Sequence, residues 1–505
     1  MTSIPVPDSA SVRASGPATL SWTAILMFVG LAAVCRLILI ALDPAVAGDS
    51  ETYKNVADNV LRGCGLSMSP AGGPECVPHQ GGQNLPGLPL FIAFTWLLFG
   101  RSDLAILLTQ LSLYLASVAW LLYVVARFEY GRRIAITLGL LLAISPLTLA
   151  WARFVAVTEV ISLAASMWVL AELLLSIQTG RLQACRLGLA FAASVFVRAE
   201  NALYILPIAL TILFAPHQRR RALAVLLVTV SVPFGTFALR NIAVGLPPVS
   251  PPGIFTEGLS PSGYFSWLDT WMTTEYQRAD AIMATGTRTY SRILLQPSPF
   301  VAVVERERAM ALLQRLNAYE GQPFPRDIDA QFAELAREER RAQGVRERVE
   351  IYVRRMASLW LNPYSGYGLP IESNNREHRA ALLRTLEEPG AGKYLTMVRD
   401  YPAEVLGRGL IVAYKGIVLL GSVAGLFLLR AAHPLVRRAV AIAVVAVASR
   451  TAALVVLADP PQIEARYVVS VVPWLEAIFA FSLATAMGRW RAPMQRPVNL
   501  VAGGA

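Results

Sequence analysis

Two carboxylates sit within three residues of each other in the stretch Ala47-Gly48-Asp49-Ser50-Glu51-Thr52-Tyr53. A carboxylate held beside a reacting hydroxyl can take its proton as a general base. Behind these acids Tyr53, Val56, Ala57, Val60 and Leu61 recur at i, i+3, i+4, i+7 and i+8. That spacing predicts an amphipathic helix lying on an apolar surface, with the acids at its start. The plainer reading makes Asp49 the N-cap of that helix, and the two roles are compatible.

A second set of polar residues stands at the edges of long apolar runs. It comprises Arg153 and Glu159, then Arg198, Glu200 and Asn201, then Arg240-Asn241, and finally Glu464, Arg466 and Tyr467. Ionisable groups at membrane depth are costly and tend to mark function. Convergent arginines suit a phosphate, which a guanidinium grips with two parallel hydrogen bonds. The competing reading is snorkelling or structural pairing, such as Arg153 with Glu159. Arg36 and Arg450 fall within apolar spans, and the sequence gives them no role.

The elements that must hold these residues are membrane helices. Of the 505 residues, 55% are apolar and only 16% charged, well below the usual quarter. The composition and the recurring apolar runs describe an all-α polytopic membrane protein. About ten spans are expected, near 20–42, 103–126, 133–150, 155–178, 184–197, 201–215, 221–239, 404–429, 436–457 and 467–488. The first is too long for a signal-peptide core and lacks a cleavage site, so it reads as an anchor. The run 86–99 is short for a crossing and suits an interfacial or re-entrant helix. The pair 184–197 and 201–215 is also short, as for a bent hairpin within the bundle.

Charge sets the orientation. If 86–99 does not cross, the arginine clusters at 127–133, 181–186, 219–221, 430–438 and 489–496 all fall on the cytoplasmic side. The net charge of +11 is thereby explained without nucleic acid, for which no module is present. Residues 1–19 and 491–505 become cytoplasmic tails, the first disordered. A transmembrane module covers 20–240 and includes a first exported loop, 43–102, with juxtamembrane helices. Residues 241–403 form a mostly helical exported domain, and 404–490 the C-terminal spans. Helical patterns are expected there at about 297–317, 327–342 and 345–361. The last has an apolar stripe of Val345, Val349, Tyr352, Val353, Met356 and Leu359, expected to pack on neighbours or on the bilayer.

Cys64 and Cys76 share the first exported loop, where a disulfide is permitted; two unpaired thiols is the alternative. No CxxC or HExxH pattern occurs, and four histidines offer no metal-ligand spacing. No cofactor is expected and no metal is indicated, although a divalent ion is left open.

Two readings follow from these residues. An enzyme could take a lipid-linked phosphate and use a carboxylate as base, or a transporter or flippase could grip an anionic head group with the same arginines. Transporters often show paired broken helices in related halves. No such symmetry is present, and the large exported loop favours an enzyme.

Asp49-x-x-x-Tyr53…Ala57-x-Asn59-x-Leu61-x-Gly63-x-Gly65, followed by Pro86-Gly87-Leu88-Pro89-Leu90, resembles the first exported loop of the GT-C membrane glycosyltransferases. The similarity is to the protein-mannosyltransferase-like and aminoarabinose-transferase-like branch. Ser145-Pro146, Thr158-Glu159, Arg240-Asn241…Gly245 and Arg466-Tyr467…Pro473 match in order.

The resemblance implies an inverting transfer of a sugar from a polyprenyl-phosphate donor to a hydroxyl on a protein, lipid or glycan. Asp49 would be the base. Arg240 and Arg466, then Arg198 and Arg153, would hold the donor phosphate. Glu51, Tyr53, Glu159, Glu200, Asn241 and Tyr467 would line the substrate site, with His79 and Gln80 reaching the acceptor. A paired acid frequent in the family is Ser50 here, which puts any two-carboxylate or metal role in doubt. A polymerase or ligase using a lipid pyrophosphate is a third reading. The expected location is a bacterial inner membrane, with the site on the periplasmic or extracellular face.

Overall fold

Each expected apolar run forms a helix in the computed structural model. It describes residues 20–47, 49–69, 76–78, 85–214, 219–248, 261–274, 281–282, 284–286, 288–293, 303–361, 391–458 and 463–491. Helix α1 spans Trp22–Leu42, opened by Ser21, whose Oγ accepts from the Ala24 amide at 3.2 Å. The amphipathic pattern becomes α2 (Ser50–Leu61), and the short run after it α3 (Gly87–Phe99). Then come α4 (Asp103–Val125), α5 (Gly131–Ile144), α6 (Pro146–Ala152), α7 (Thr158–Thr179) and α8 (Ala184–Val197). A 3₁₀ turn, Ala199–Tyr204, leads into α9 (Ile205–Phe214), and α10 covers Arg219–Ala243.

Among the described residues, seven helices are long and apolar enough to cross a membrane, and the bent pair α5–α6 makes an eighth if it is one span. The expected spans 184–197 and 201–215 are shorter helices. At 1.5 Å per residue, α8 and α3 reach only about 20 Å, short of the ~30 Å hydrocarbon layer. Helix α3 packs on α2 and α4, as an interfacial element would. Gly87 allows its close approach to the end of α8, since a Cβ there would meet the Phe196 carbonyl oxygen at 2.7 Å.

The bend between α5 and α6 is 47°. Pro146 has no N–H, so the helix ladder breaks there and leaves carbonyls without an intrahelical donor. Buried Arg36 of α1 repairs the gap, donating to Leu142 O at 3.1 Å and to Ala143 O at 3.3 Å. The Tyr114 hydroxyl also donates to Leu142 O, at 2.8 Å. The arginine left without a role by the sequence thus completes a broken span.

The region between α10 and the C-terminal helices holds α11 (Ser262–Trp271), α12 (Val303–Asn317), α13 (Arg326–Ala342), α14 (Val345–Leu361) and α15 (Ala391–Asp400). Tyr264, Trp267, Trp271, Phe324 and Phe332 form its separate aromatic core. Only part of the α14 stripe packs. Leu359 and Trp360 join the main core, whereas Val345, Val349, Val353 and Met356 are exposed. Buried Arg355 fastens this region to the bundle by donating to Met272 O at 2.8 Å and Val455 O at 3.1 Å.

The chain closes with α16 (Pro402–Leu428), α17 (Pro434–Ala452), a π-helical turn at Ala453–Leu457, a 3₁₀ segment at Ala465–Val471 and α18 (Val472–Arg491). Helix α7 and the stretch Arg466–Gly488, which includes most of α18, are the most buried parts of the bundle, whereas α10 is largely exposed on its surface. The hydroxyl of Ser166 joins α7 to α18, accepting from Trp474 Nε1 at 2.7 Å.

Candidate active site

The charged residues flagged at the span edges gather largely at one end of the bundle, and short connections hold them there. After α1 the chain makes a two-residue strand, β1 (Ala45–Val46), parallel to β2 (Phe154–Val155), which follows α6. Arg153, 1% exposed, pairs with the Asp43 carboxylate and donates to Asp43 O at 3.2 Å. The expected partner, Glu159, is instead bound to Arg198. Charge alone cannot choose between two acids; the bend of α6 points Arg153 back at the end of α1.

Ser50 explains the missing second acid. Its buried hydroxyl donates to Val155 O at 2.6 Å and accepts from the Ala47 amide at 3.1 Å. The residue after Asp49 is therefore a tie between the loop and β2. Asp49 itself is exposed, precedes α2 in helical conformation, and makes no side-chain capping bond. Its carboxylate is not used as a cap. Glu51 points to solvent and pairs with Lys54 at 2.7 Å.

Tyr53 lies where the loop and the bundle meet. Burial pushes its phenol above the ordinary value, and the Asp49 and Glu159 carboxylates push further. The Arg198 and Arg466 guanidiniums pull in the opposite direction. One side chain thus feels the candidate base and two candidate phosphate ligands together.

Glu159 opens α7, and its Oε1 accepts from Arg198 Nη1 at 2.8 Å, both groups buried. Arg198 ends α8, and its Nη2 reaches Glu200 at 3.3 Å. Asn201 fixes the turn between them by donating to Ser162 Oγ at 2.8 Å and Ser194 O at 2.9 Å. Arg466 pairs with Glu464 at 2.6 Å. The ring of Tyr467 lies between two cations, with Arg198 at 5.2 Å and Arg466 at 5.0 Å from its centroid.

Arg240 and Asn241 stand at the end of α10. Arg240 Nη2 donates to Leu66 O at 2.7 Å, and Nη1 to Asn241 Oδ1 at 2.9 Å. These bonds tie the end of α10 to the loop that follows α2. A disulfide between Cys64 and Cys76, with Cα atoms 5.3 Å apart, closes the same loop. Asn59 holds it to α2 by donating to Ser67 O and Ser69 O, each at 2.9 Å. His79 and Gln80 lie outside the described residues.

Arg450, to which the sequence gives no role, lies beside the cluster of Arg198, Glu200 and Tyr467. It lies in the last turn of α17, 1% exposed. Its Nε donates to Tyr467 O at 2.9 Å, and its Nη2 stands 3.7 Å from Glu200. An arginine inside an apolar span is the signal that pointed to it, as it did to Arg36. Among the described residues, no three His, Cys, Asp or Glu side chains are grouped to hold a metal.

Residues 82–241 match the family of dolichyl-phosphate-mannose-protein mannosyltransferases. That segment includes the α5–α6 bend, Arg153, Glu159, Arg198, Glu200 and Arg240. No curated protein matches the chain. Two solved structures of ArnT from Cupriavidus metallidurans are similar to it. The apo form has 15% identity and a TM-score of 0.36, over 91% of this chain and 77% of that one. The form bound to undecaprenyl phosphate has 12% identity and a TM-score of 0.35, over 92% and 78%. Within residues 82–241 the chain is thus similar to the dolichyl-phosphate-mannose-protein mannosyltransferases, in line with the resemblance its motifs carry.

Proposed function

We propose that the protein moves a sugar from a polyprenyl-phosphate donor to a hydroxyl acceptor at the exported face of the membrane, with inversion at the anomeric carbon. The observation that carries this reading is the setting of Tyr53, whose buried phenol is acted on by the Asp49 and Glu159 carboxylates and by the Arg198 and Arg466 guanidiniums together. A base and a phosphate grip are what a direct displacement requires.

Asp49 accepts the acceptor's hydroxyl proton as that oxygen attacks the anomeric carbon. The bond from that carbon to the phosphate oxygen breaks, and polyprenyl phosphate leaves with the electron pair. Arg198 and Arg466 hold the phosphate and stabilise the charge gathering on it. Arg153, Arg240 and Ser50 position the loop that carries Asp49. Tyr467 keeps the two phosphate-binding guanidiniums apart and oriented.

The test is sugar transfer from a polyprenyl-phosphate donor by the purified full chain and by Asp49→Asn. The wild type is expected to transfer and the variant to lose transfer while remaining folded. Transfer at the wild-type rate by the variant would remove Asp49 from the mechanism. Leaflet-to-leaflet movement of a lipid-linked sugar in liposomes, with no glycosidic bond formed, would favour a flippase instead.

A further inference from the structure

Arg450 is buried to 1% exposure, yet neither its Nη1 nor its Nη2 has a hydrogen-bond partner. A buried guanidinium with two idle nitrogens is costly, because each donor has given up water without replacement. What faces it is the carboxylate of Glu200, at 3.7 Å, beyond hydrogen-bond reach. The same Glu200 oxygen lies 3.3 Å from Arg198 Nη2. Glu200 therefore bridges two arginines that come from separate helix ends.

Accessibility differs sharply across this trio. The Glu200 side chain is 30% exposed, against 9% for Arg198 and 2% for Arg450. The acid faces the outside, whereas the two cations beside it are buried and held by further partners. Arg198 keeps Glu159 at 2.8 Å, and Arg450 keeps its Nε bond to Tyr467 O at 2.9 Å. Both would hold their places if Glu200 left.

Resting on the donor assignment above, we propose that the donor phosphate binds between Arg198 and Arg450 by displacing the Glu200 carboxylate, so that Arg450 is a further guanidinium of the phosphate site. A sugar joined to a prenyl chain through one phosphate is a phosphodiester and carries one negative charge. Exchanging it for one carboxylate keeps the charge of the pocket constant. It also gives the idle nitrogens of Arg450 the acceptors they lack, in the bidentate geometry that guanidinium and phosphate share. Glu200 acts as a resident competitor that keeps two buried cations compensated while the site is empty.

The experiment measures the Kd of undecaprenyl phosphate for the detergent-purified full chain and for Glu200→Gln, Arg450→Lys and Arg450→Gln, with a melting curve for each. Glu200→Gln removes the competitor's charge and should tighten binding by several-fold. Arg450→Gln should weaken it by about tenfold or more, the scale of a lost charge-assisted hydrogen bond. Arg450→Lys, which keeps the charge but loses the fork, should fall between. If Arg450 serves only to brace the Tyr467 carbonyl, its variants lower the melting temperature without changing Kd, and the proposal is overturned. Unchanged or weakened binding by Glu200→Gln overturns it as well.

A structure of the wild type with undecaprenyl phosphate decides independently of whether any variant folds. Phosphate within hydrogen-bond reach of both Arg198 and Arg450, with Glu200 moved, supports the exchange. Phosphate elsewhere with Glu200 in place refutes it. A wild type that does not bind undecaprenyl phosphate at all sinks the donor reading itself, whereas binding unaffected by these variants sinks only this inference.

Discussion

Glu159 and Arg198 form an ion pair at 2.8 Å with both side chains buried, joining the first turn of α7 to the end of α8. Removing one member of such a pair strands the other charge, at a cost of ~3–5 kcal/mol. Arg198 retains Glu200, so Glu159→Gln is expected at the low end of that range. The check is a melting curve beside a donor-binding isotherm: melting should fall while binding persists. Unchanged melting would show that Glu200 alone balances Arg198.

Arg153 clamps Asp43, and the clamp fixes where the loop bearing Asp49 leaves α1. Arg153→Lys keeps a charge but cannot serve both the carboxylate and the main-chain oxygen. Small misplacements of a catalytic group can cost up to ~100-fold in rate. Steady-state kinetics should show kcat falling by about tenfold or more with KM for the donor little changed. A rise in KM alone would instead make Arg153 a donor ligand.

The Cys64–Cys76 bridge closes a short loop, for which chain entropy gives about 2–3 kcal/mol of restraint. Reduction, or Cys64→Ser with Cys76→Ser, should speed proteolysis between the two positions and lower sugar transfer. Main-span melting should change little, since the loop lies outside the bundle core. Equal cleavage rates in oxidised and reduced protein would refute the restraint.

Tyr53 has a raised pKa, and for a phenol this means the neutral form persists to higher pH. Its hydroxyl stays protonated through any ordinary assay range, so it cannot produce an alkaline fall in activity. Tyr53→Phe should lower transfer while leaving the shape of the pH–rate profile unchanged. An alkaline limb that disappears in the variant would show that Tyr53 titrates after all.

The apolar runs were legible because lipid demands them, although 133–150 is a bent pair of helices and 184–197 and 201–215 are helices shorter than a full crossing. The ends of those runs also marked charged residues that the fold brings together. Pairing was not legible, because it depends on helix rotation and on the bend at Ser145-Pro146. Thus Arg153 took Asp43, and Glu159 took Arg198. Ser50 looked like a missing acid and is a structural tie, since its partner Val155 O lies over a hundred residues away in sequence. The bond from Arg240 to the Leu66 carbonyl is likewise invisible in its motif, since Leu66 lies far away in sequence. Arg450 was hidden by its apolar neighbours.

Arg36 and Pro146 are bound to the same evolutionary fate. With the imino acid alone replaced by alanine, the ladder can close and a buried cation loses two of its acceptors. With the cation alone replaced by leucine, the Leu142 oxygen keeps the Tyr114 hydroxyl but the Ala143 oxygen loses its side-chain donor where lipid supplies none. Only a simultaneous exchange returns a continuous, uncharged rod. A drifting lineage can therefore lose this bend in one coordinated step, but not by either single step without passing through a damaged intermediate.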